Sequence, residues 1–264
     1  MIKNKETVML ANQRREVILD MIKEDGHIKV AKLSNLFKVT EVTIRQDLEK
    51  LENEGFLIRE HGGAYLKNVD QQVKSIRLQN QSNLNEKKAI ARIAITMIED
   101  GDTIILDSGS TTTEIANLIH NFKNLTVITN ALNIAFILGG EPGINLIVTG
   151  GEFKAPTLSL TGQKAADFFQ NLHVDKLFLA TAGFTLKSGL TYPSISDICV
   201  KRAMIESADE VYLVADSSKI GKNSFASLGA LSLIDYLITD SKVNESDLAI
   251  FKQHDIKFHI AEID

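Results

Sequence analysis

An α/β chain in two unequal parts is predicted by three observations. Apolar residues recur at helical spacing on either side of a short break near residue 39, and a glycine-bounded pair of apolar runs follows, which predicts a small helical part closed by a hairpin over residues 1–66. The run KNVDQQVKSIRLQNQSN at 67–83 is rich in Gln, Asn and Lys with few large apolar residues, which predicts a polar linker. Over residues 84–264 apolar β-branched runs alternate with helical patterns, which predicts a mostly parallel sheet covered on both faces.

In the first part Val30, Leu33 and Leu36 recur at i, i+3, i+6, and after Lys38-Val39-Thr40 the residues Ile44, Leu48 and Leu51 recur at i, i+4, i+7. Two short amphipathic helices thus meet at a tight turn. Thr40 has a side-chain oxygen able to cap the second helix, and Gly55 can adopt the left-handed conformation that stops it. Beyond it, Phe56-Leu57-Ile58-Arg59 and Ala64-Tyr65-Leu66 are joined through Glu60-His61-Gly62-Gly63, which suits a hairpin. Together these elements read as a winged helix-turn-helix. Away from the apolar stripe the second helix carries Glu41, Val42, Arg45 and Gln46, with Thr43 near its start, a set able to meet phosphates and base edges from a helix in the major groove. Amphipathic helices with a short turn also occur in many small helical domains. Charge does not separate the two readings, because residues 1–66 hold eleven Lys and Arg against eleven Asp and Glu, with 18 and 23 in the rest. With so weak a basic footprint a single copy is expected to bind DNA poorly, so two or more copies would be needed. Asp47, beside Leu48, is expected to be structural and to pair with a cation such as Arg59.

A family comparison sharpens this. Thr43-Ile44-Arg45-Gln46-Asp47-Leu48, then Leu51, Gly55, Leu57, Arg59 and His61-Gly62-Gly63-Ala64, resemble the DNA-binding signature of the DeoR family of bacterial transcriptional regulators. The resemblance implies that Thr40, Val42, Thr43, Arg45, Gln46, Arg59 and His61 serve DNA binding. Where that signature usually has Ser and a second Arg, this chain has Thr40 and Gln46: Thr keeps the capping oxygen, and Gln46 puts an amide able to read adenine in place of a phosphate cation.

Bulk composition sets the limits. With 264 residues, 44% hydrophobic and 24% charged, the chain has a soluble globular balance. No uninterrupted apolar stretch is long enough to span a membrane and MIKNKETVML lacks a signal-peptide core, so the cytoplasm is expected and neither membrane nor secretion is. The single cysteine, Cys199, lies in a helical pattern at Ile195 to Ala208 without a paired His and is expected to be a buried small hydrophobe. The six histidines show no metal-ligand spacing, so no metal and no cofactor are expected.

In the second part Leu84 to Asp100 carries Ile90, Ile93, Ala94 and Met97 at helical spacing, with Gly101 ending that helix. Strand-like runs follow at Thr103 to Leu106, Leu125 to Thr129, Ile144 to Val148, Lys176 to Ala180, Val211 to Val214 and Tyr236 to Ile238. In such a sheet ligands bind at the carboxyl ends of strands. The first strand ends in Asp107-Ser108-Gly109-Ser110-Thr111-Thr112-Thr113, leading into a helix from Glu114 to Ile119. Gly109 allows a close turn, unpaired helix amides favour an anion, and the hydroxyls of Ser108, Ser110, Thr111 and Thr112 add donors, so the stretch reads as a phosphate cradle. It lacks a P-loop lysine, which argues against a nucleoside triphosphate. Mere helix capping is the alternative. Other strand ends contribute Asn130, an amide for sugar hydroxyls; Gly150 and Gly151, which allow close approach; and Lys219, either a partner for phosphate or a solvated loop lysine.

DSGSTTT at 107–113, VITN at 127–130, TGG at 149–151, GLT at 189–191, VKRAM at 200–204, ADSSKIG at 215–221 and ITD at 238–240 also resemble the sensor domain of the DeoR family. This implies a fold similar to ribose-5-phosphate isomerase and glucosamine-6-phosphate deaminase, binding a phosphorylated sugar or related metabolite that releases a repressor of carbohydrate genes from operator DNA. Ile198 and Cys199 stand where relatives often carry an acid, and Ala182-Gly183-Phe184-Thr185 lacks the acid often found after the glycine. The competing class is a sugar-phosphate isomerase with an appended DNA-binding domain. Asp107, Asp197 and Asp216 are available carboxylates, but no acid lies in the 182–185 loop to act as its base. No catalytic residue is therefore expected, and the expected assembly is a homodimer or higher homo-oligomer.

Overall fold

The computed structural model describes residues 10–66, 82–154, 157–253 and 256–263. Two compact units divide the chain between Ser75 and Ile76. The expected polar linker lies outside the described residues except for Ser82 and Asn83.

The first unit is built from α1 (Ala11–Asp25), β1 (His27–Lys29), α2 (Val30–Phe37), α3 (Glu41–Asn53), β2 (Leu57–Glu60) and β3 (Gly63–Leu66). Its antiparallel sheet runs β1-β3-β2. The α2–α3 turn and the hairpin stand where the sequence predicts them. Thr40 caps α3 by accepting the Thr43 amide at 3.2 Å. At the other end the amides of Gly55 and Phe56 bond back to Glu52 and Leu51, with Gly55 at φ +84. Helix α1 and strand β1 are not predicted by the sequence pattern. Ile18, Met21 and Ile22 of α1 and Ile28 of β1 join Leu33, Ile44, Leu48 and Leu51 in the core. Gly63 is needed because β1 runs so close that a Cβ there would collide with the Ile28 carbonyl oxygen. Asp47 is buried and paired, but its cations are on α1 and not on β2: Arg14 Nε at 2.6 Å and Arg15 Nη1 at 3.4 Å. Arg59 instead pairs with Glu52 at 2.6 Å, because Glu52 faces β2 while Asp47 faces α1.

In the second unit seven parallel strands form one sheet in the order β15-β14-β12-β9-β4-β5-β6. The strands are β4 (Thr103–Leu106), β5 (Leu125–Thr129), β6 (Ile144–Val148), β9 (Val174–Leu179), β12 (Ala208–Val214), β14 (Tyr236–Asp240) and β15 (Lys257–Ala261). Alternation along each strand sends neighbours to opposite faces. Ile104, Leu106, Phe178 and Tyr212 pack with Ile90 of α4 (Leu84–Ile95), Ile115 of α5 (Ser110–Ala116) and Ile134 of α6 (Leu132–Leu138). Ile105, Leu177 and Leu213 face the other way, toward Ala165 of α7 (Gln163–Asp167), Val200 and Met204 of α8 (Ile195–Ser207) and Phe251 of α9 (Glu245–Gln253). Two additions are the ribbon of β7 (Glu152–Lys154) with β8 (Ser159–Thr161), and a small sheet of β10 (Gly183–Thr185), β11 (Gly189–Tyr192) and β13 (Ala226–Gly229).

Three local differences have physical causes. The helix expected to reach Asp100 ends at Ile95, because the amides of Thr96, Met97 and Ile98 tighten to i−3 bonds and the Thr96 hydroxyl takes the Ile93 carbonyl. The helix expected from Glu114 already starts at Ser110, its first turn held by Thr113, whose amide and hydroxyl both bond the Gly109 carbonyl. Cys199 is half-buried rather than buried, since α8 turns Val200 and Met204 inward instead. Among the described residues no helix is long and apolar enough to cross a membrane.

Candidate functional site

On the first unit, α3 packs through Ile44, Asp47, Leu48 and Leu51 and so leaves Val42, Arg45 and Gln46 exposed on its opposite face. Thr40 and Thr43 lie at its start with their hydroxyls 3.0 Å apart, so the Thr40 oxygen serves the cap first. Arg45 forms an exposed ion pair with Glu41 at 2.6 Å. Such a pair is weak and would yield to a phosphate or a base edge. His61 sits exposed in the two-residue turn between β2 and β3, beside Gly62 at φ +84. Arg59 extends along β2 with Glu52 holding both its amide and its guanidinium, an arrangement that raises its pKa, the hydrogen bond to Glu52 being the main cause.

In the second unit the order of strands reverses between β4 and β9: β5 and β6 follow on one side of β4, while β9, β12, β14 and β15 follow on the other. At such a switch point the strand ends diverge and leave a crevice. Asp107 stands at this point, fully buried. Its Oδ2 accepts from Lys201 Nζ at 2.5 Å and from the Ala180 amide at 3.1 Å, and its Oδ1 accepts from the Ser108 amide at 2.8 Å. Burial pushes the Asp107 carboxyl up, and Lys201 with the two amides pulls it back. The Tyr192 hydroxyl donates to the Ala180 carbonyl at 2.8 Å, and Lys201 Nζ lies 4.7 Å from the Tyr192 ring centre. One turn before Lys201 on α8, Asp197 pairs with Lys154 of β7 at 2.7 Å, also buried. Four buried charges of balanced sign therefore underlie this end of the sheet. Of these, Lys201 and Lys154 are not among the expected site residues; the available signal was the spacing of Asp197 and Lys201, one helical turn apart and in step with Val200 and Met204 on the face that packs inward.

The expected cradle residues divide into two groups. Ser108, Gly109 and Ser110 line the β4–α5 turn half-buried, and Thr111 is buried behind them. Gly109 is required because a Cβ would collide with Ala180 of the neighbouring strand end. The Thr112 hydroxyl, expected to face a ligand, instead donates to the carbonyls of Asp107 at 2.6 Å and Gly109 at 3.0 Å. Asn130 is likewise committed: its Oδ1 accepts the Ser108 amide at 3.1 Å and its Nδ2 donates to Leu160. Asp107, Thr112 and Asn130 therefore shape the turn rather than present donors from it. Gly150 is open, whereas Gly151 is tight against the Thr161 backbone and Ala165. Lys219 is half-buried in the turn after β12 and lies near Lys87 of α4, whose pKa is lowered, by burial first and also by the like charge of Lys219. Lys87 is a further buried cation that the sequence pattern concealed within an amphipathic helix. Asp216 accepts from Asn83 Nδ2 at 2.9 Å and from the Ser218 amide at 3.1 Å, which fixes the turn carrying Lys219. Among the described residues no cluster of His, Cys, Asp and Glu is arranged to hold a metal ion.

Comparison with known proteins agrees with both halves. Residues 14–69 match the DeoR-like helix-turn-helix domain and residues 82–241 the DeoR C terminal sensor domain. The chain is 34% identical over 254 residues to the HTH-type transcriptional regulator GolR of Listeria innocua, spanning 96% of this chain and all of that protein. It is 34% identical over 256 residues to the HTH-type transcriptional repressor GlcR of Bacillus subtilis, spanning 97% and 98%. It is 29% identical to the glycerol-3-phosphate regulon repressor of Escherichia coli, spanning 96% and 100%. Among solved structures, ribose 5-phosphate isomerase A from Methanocaldococcus jannaschii covers 52% of this chain and 55% of its own at 16% identity and a TM-score of 0.39, a likeness too slight to carry function.

Proposed function

We propose that this chain, which belongs to the DeoR family of DNA-binding transcriptional regulators, is a cytoplasmic repressor of carbohydrate genes that a phosphorylated sugar releases from its operator. The observation that carries the effector half is the hydroxyl-bearing β4–α5 turn, held at the switch point of the sheet by Asp107 and Lys201. Ser108, Gly109 and Ser110 would meet the phosphate together with the first-turn backbone amide of the buried Thr111, Lys219 would supply charge, and Gly150 leaves room for the sugar. Asp107, Thr112 and Asn130 hold the turn in shape. The relatives named as repressors, one of them of a glycerol-3-phosphate regulon, support a phosphorylated metabolite. Its binding shifts the protein only as far as it prefers the state that does not hold operator.

Fluorescence anisotropy on DNA from the chain's own upstream region, titrated with sugar phosphates and the unphosphorylated sugars, tests this directly. Release by one phosphorylated sugar and not by its parent sugar is the expected result; tight binding indifferent to the whole panel removes the effector site. The combined change Ser110→Ala with Lys219→Ala is expected to abolish release while operator affinity stays at its wild-type value. Release at wild-type ligand concentration would remove both residues.

On the DNA side, Arg45→Ala is expected to weaken operator binding by about 1 to 3 kcal/mol if the guanidinium reads a guanine, with relaxed preference at that position. A uniform loss across sequences would assign Arg45 to phosphate, and an unchanged footprint would remove it from the interface. Affinity should also fall steeply as salt rises, because paired copies double the phosphate contacts. A salt-insensitive complex would contradict paired binding.

A catalytic role has less support, since a general base must reach its substrate and Asp107 is enclosed and already paired. Turnover of any sugar phosphate by the purified chain would overturn the non-catalytic reading.

A further inference from the structure

We propose that the corner of the second unit formed by α6, the edge strand β6 and the β7–β8 ribbon is the surface through which two copies of this chain associate. Phe136 is 91% exposed, Phe153 55%, Leu132 38% and Val148 36%. Leu132 and Phe136 lie one turn apart on α6 and so share a face. Backbone bonds from Leu132 to Leu158 and from Leu160 to Asn130 tie the start of α6 to β8, and Phe153 of β7 stands opposite Leu160 of β8. Val148 ends β6, which packs against α6. The four side chains therefore surround a single corner.

Two features mark this corner as covered. From Asn124 to Gly151 the sole ionisable side chain is Glu141, in a chain that is 24% charged. None of the exposed positions in this stretch, Leu132, Phe136 and Val148 among them, carries a charge, and such a loss is the signature of an interface core. In addition, β6 is an end strand of the seven-stranded sheet and reads Ile-Asn-Leu-Ile-Val, with none of the charges or prolines that protect an exposed edge. The opposite edge, β15, carries Lys257 and His259.

The occupant is a second copy for reasons of charge and symmetry. In a two-fold contact a patch meets itself, so a charged patch is repelled by its image and a neutral apolar one is complementary to it. The same segment, without a single Lys or Arg, has nothing to hold an anionic membrane surface. The eleven basic and eleven acidic residues of 1–66 call for more than one DNA-binding unit per operator, which a self-associating second unit supplies. That last step alone rests on the regulator reading.

Sedimentation velocity of the full chain without DNA is the test. The wild type is expected at a mass of two copies or a multiple of two, and Phe136→Glu and Phe153→Glu are each expected to weaken association by about tenfold or more. Leu186→Glu, on an exposed turn between β10 and β11, is expected to keep the wild-type mass. Circular dichroism confirms that each variant is folded; both aromatic side chains are exposed, so neither supports the core. A wild type that stays at one copy across the micromolar range, or a Phe136→Glu and Phe153→Glu pair that keep the wild-type mass, would overturn the proposal. A chain that self-associates through this corner but binds no DNA would sink the regulator reading and leave the interface standing.

Discussion

Asp107→Ala is expected to destabilise the second unit by about 3 to 5 kcal/mol, because it leaves the Lys201 ammonium buried without its carboxylate. It also strips the amides of Ser108 and Ala180 of their shared acceptor, so the β4–α5 turn and the end of β9 lose the group that joins them. At about 2 to 4 °C per kcal/mol for a unit of this size, the calorimetric transition falls by roughly 6 to 20 °C. The paired change Asp107→Ala with Lys201→Met separates charge from packing. If the stranded charge is the main cost, the double variant recovers a large part of the loss, since removing both ions is far less damaging than removing one. A single variant within 1 kcal/mol of wild type would show that water or another acceptor reaches Lys201 and that the pair does not hold the turn.

Asp47→Ala is expected to cost the first unit a similar amount, about 3 to 5 kcal/mol, because it too removes one partner of a buried ion pair. Its carboxylate is shared by Arg14 and Arg15, so one substitution removes both of these ion pairs between α1 and α3 and leaves the apolar packing of Ile18, Met21 and Ile22 to hold the helix. A unit of some 66 residues has a total stability of only about 3 to 10 kcal/mol, so the variant is expected to lose operator binding by unfolding in part. Circular dichroism and anisotropy on the same sample check this: helix content and DNA affinity should fall together. Arg45→Ala should lower affinity with helix content unchanged. An Asp47→Ala protein that is fully folded yet fails on DNA would instead make Asp47 part of the interface.

Much of this architecture was legible because it is local. The two helices of the turn announce themselves through Leu33, Ile44, Leu48 and Leu51 at helical spacing, the hairpin through Gly62 and Gly63, and the parallel sheet through β-branched runs alternating with helices. The exposed face of α3 follows from the same periodicity, since whatever does not pack must face outward. Helix α1 was harder to see because its apolar face is only Ile18, Met21 and Ile22 amid charged residues, and its anchor is an ion pair. The β7–β8 ribbon and the small sheet of β10, β11 and β13 have strands of three or four residues, too short for a period to show.

The sequence by itself determined the two-part α/β organisation, the helix α3 with its cap, and the position of a hydroxyl-rich turn at a strand end, because each depends on residues within a few positions of one another. Only the tertiary structure decided which polar groups remain available. Asp107 meets Lys201 across 94 positions and Asp47 meets Arg14 across 33, so no local pattern could assign either partner. Ser110 and Thr112 are neighbours in one run of hydroxyls, yet the Thr112 hydroxyl is spent on backbone carbonyls beneath the turn. A side chain's direction in a packed turn is set by the strands and helices that close over it, and chain proximity carries no record of them.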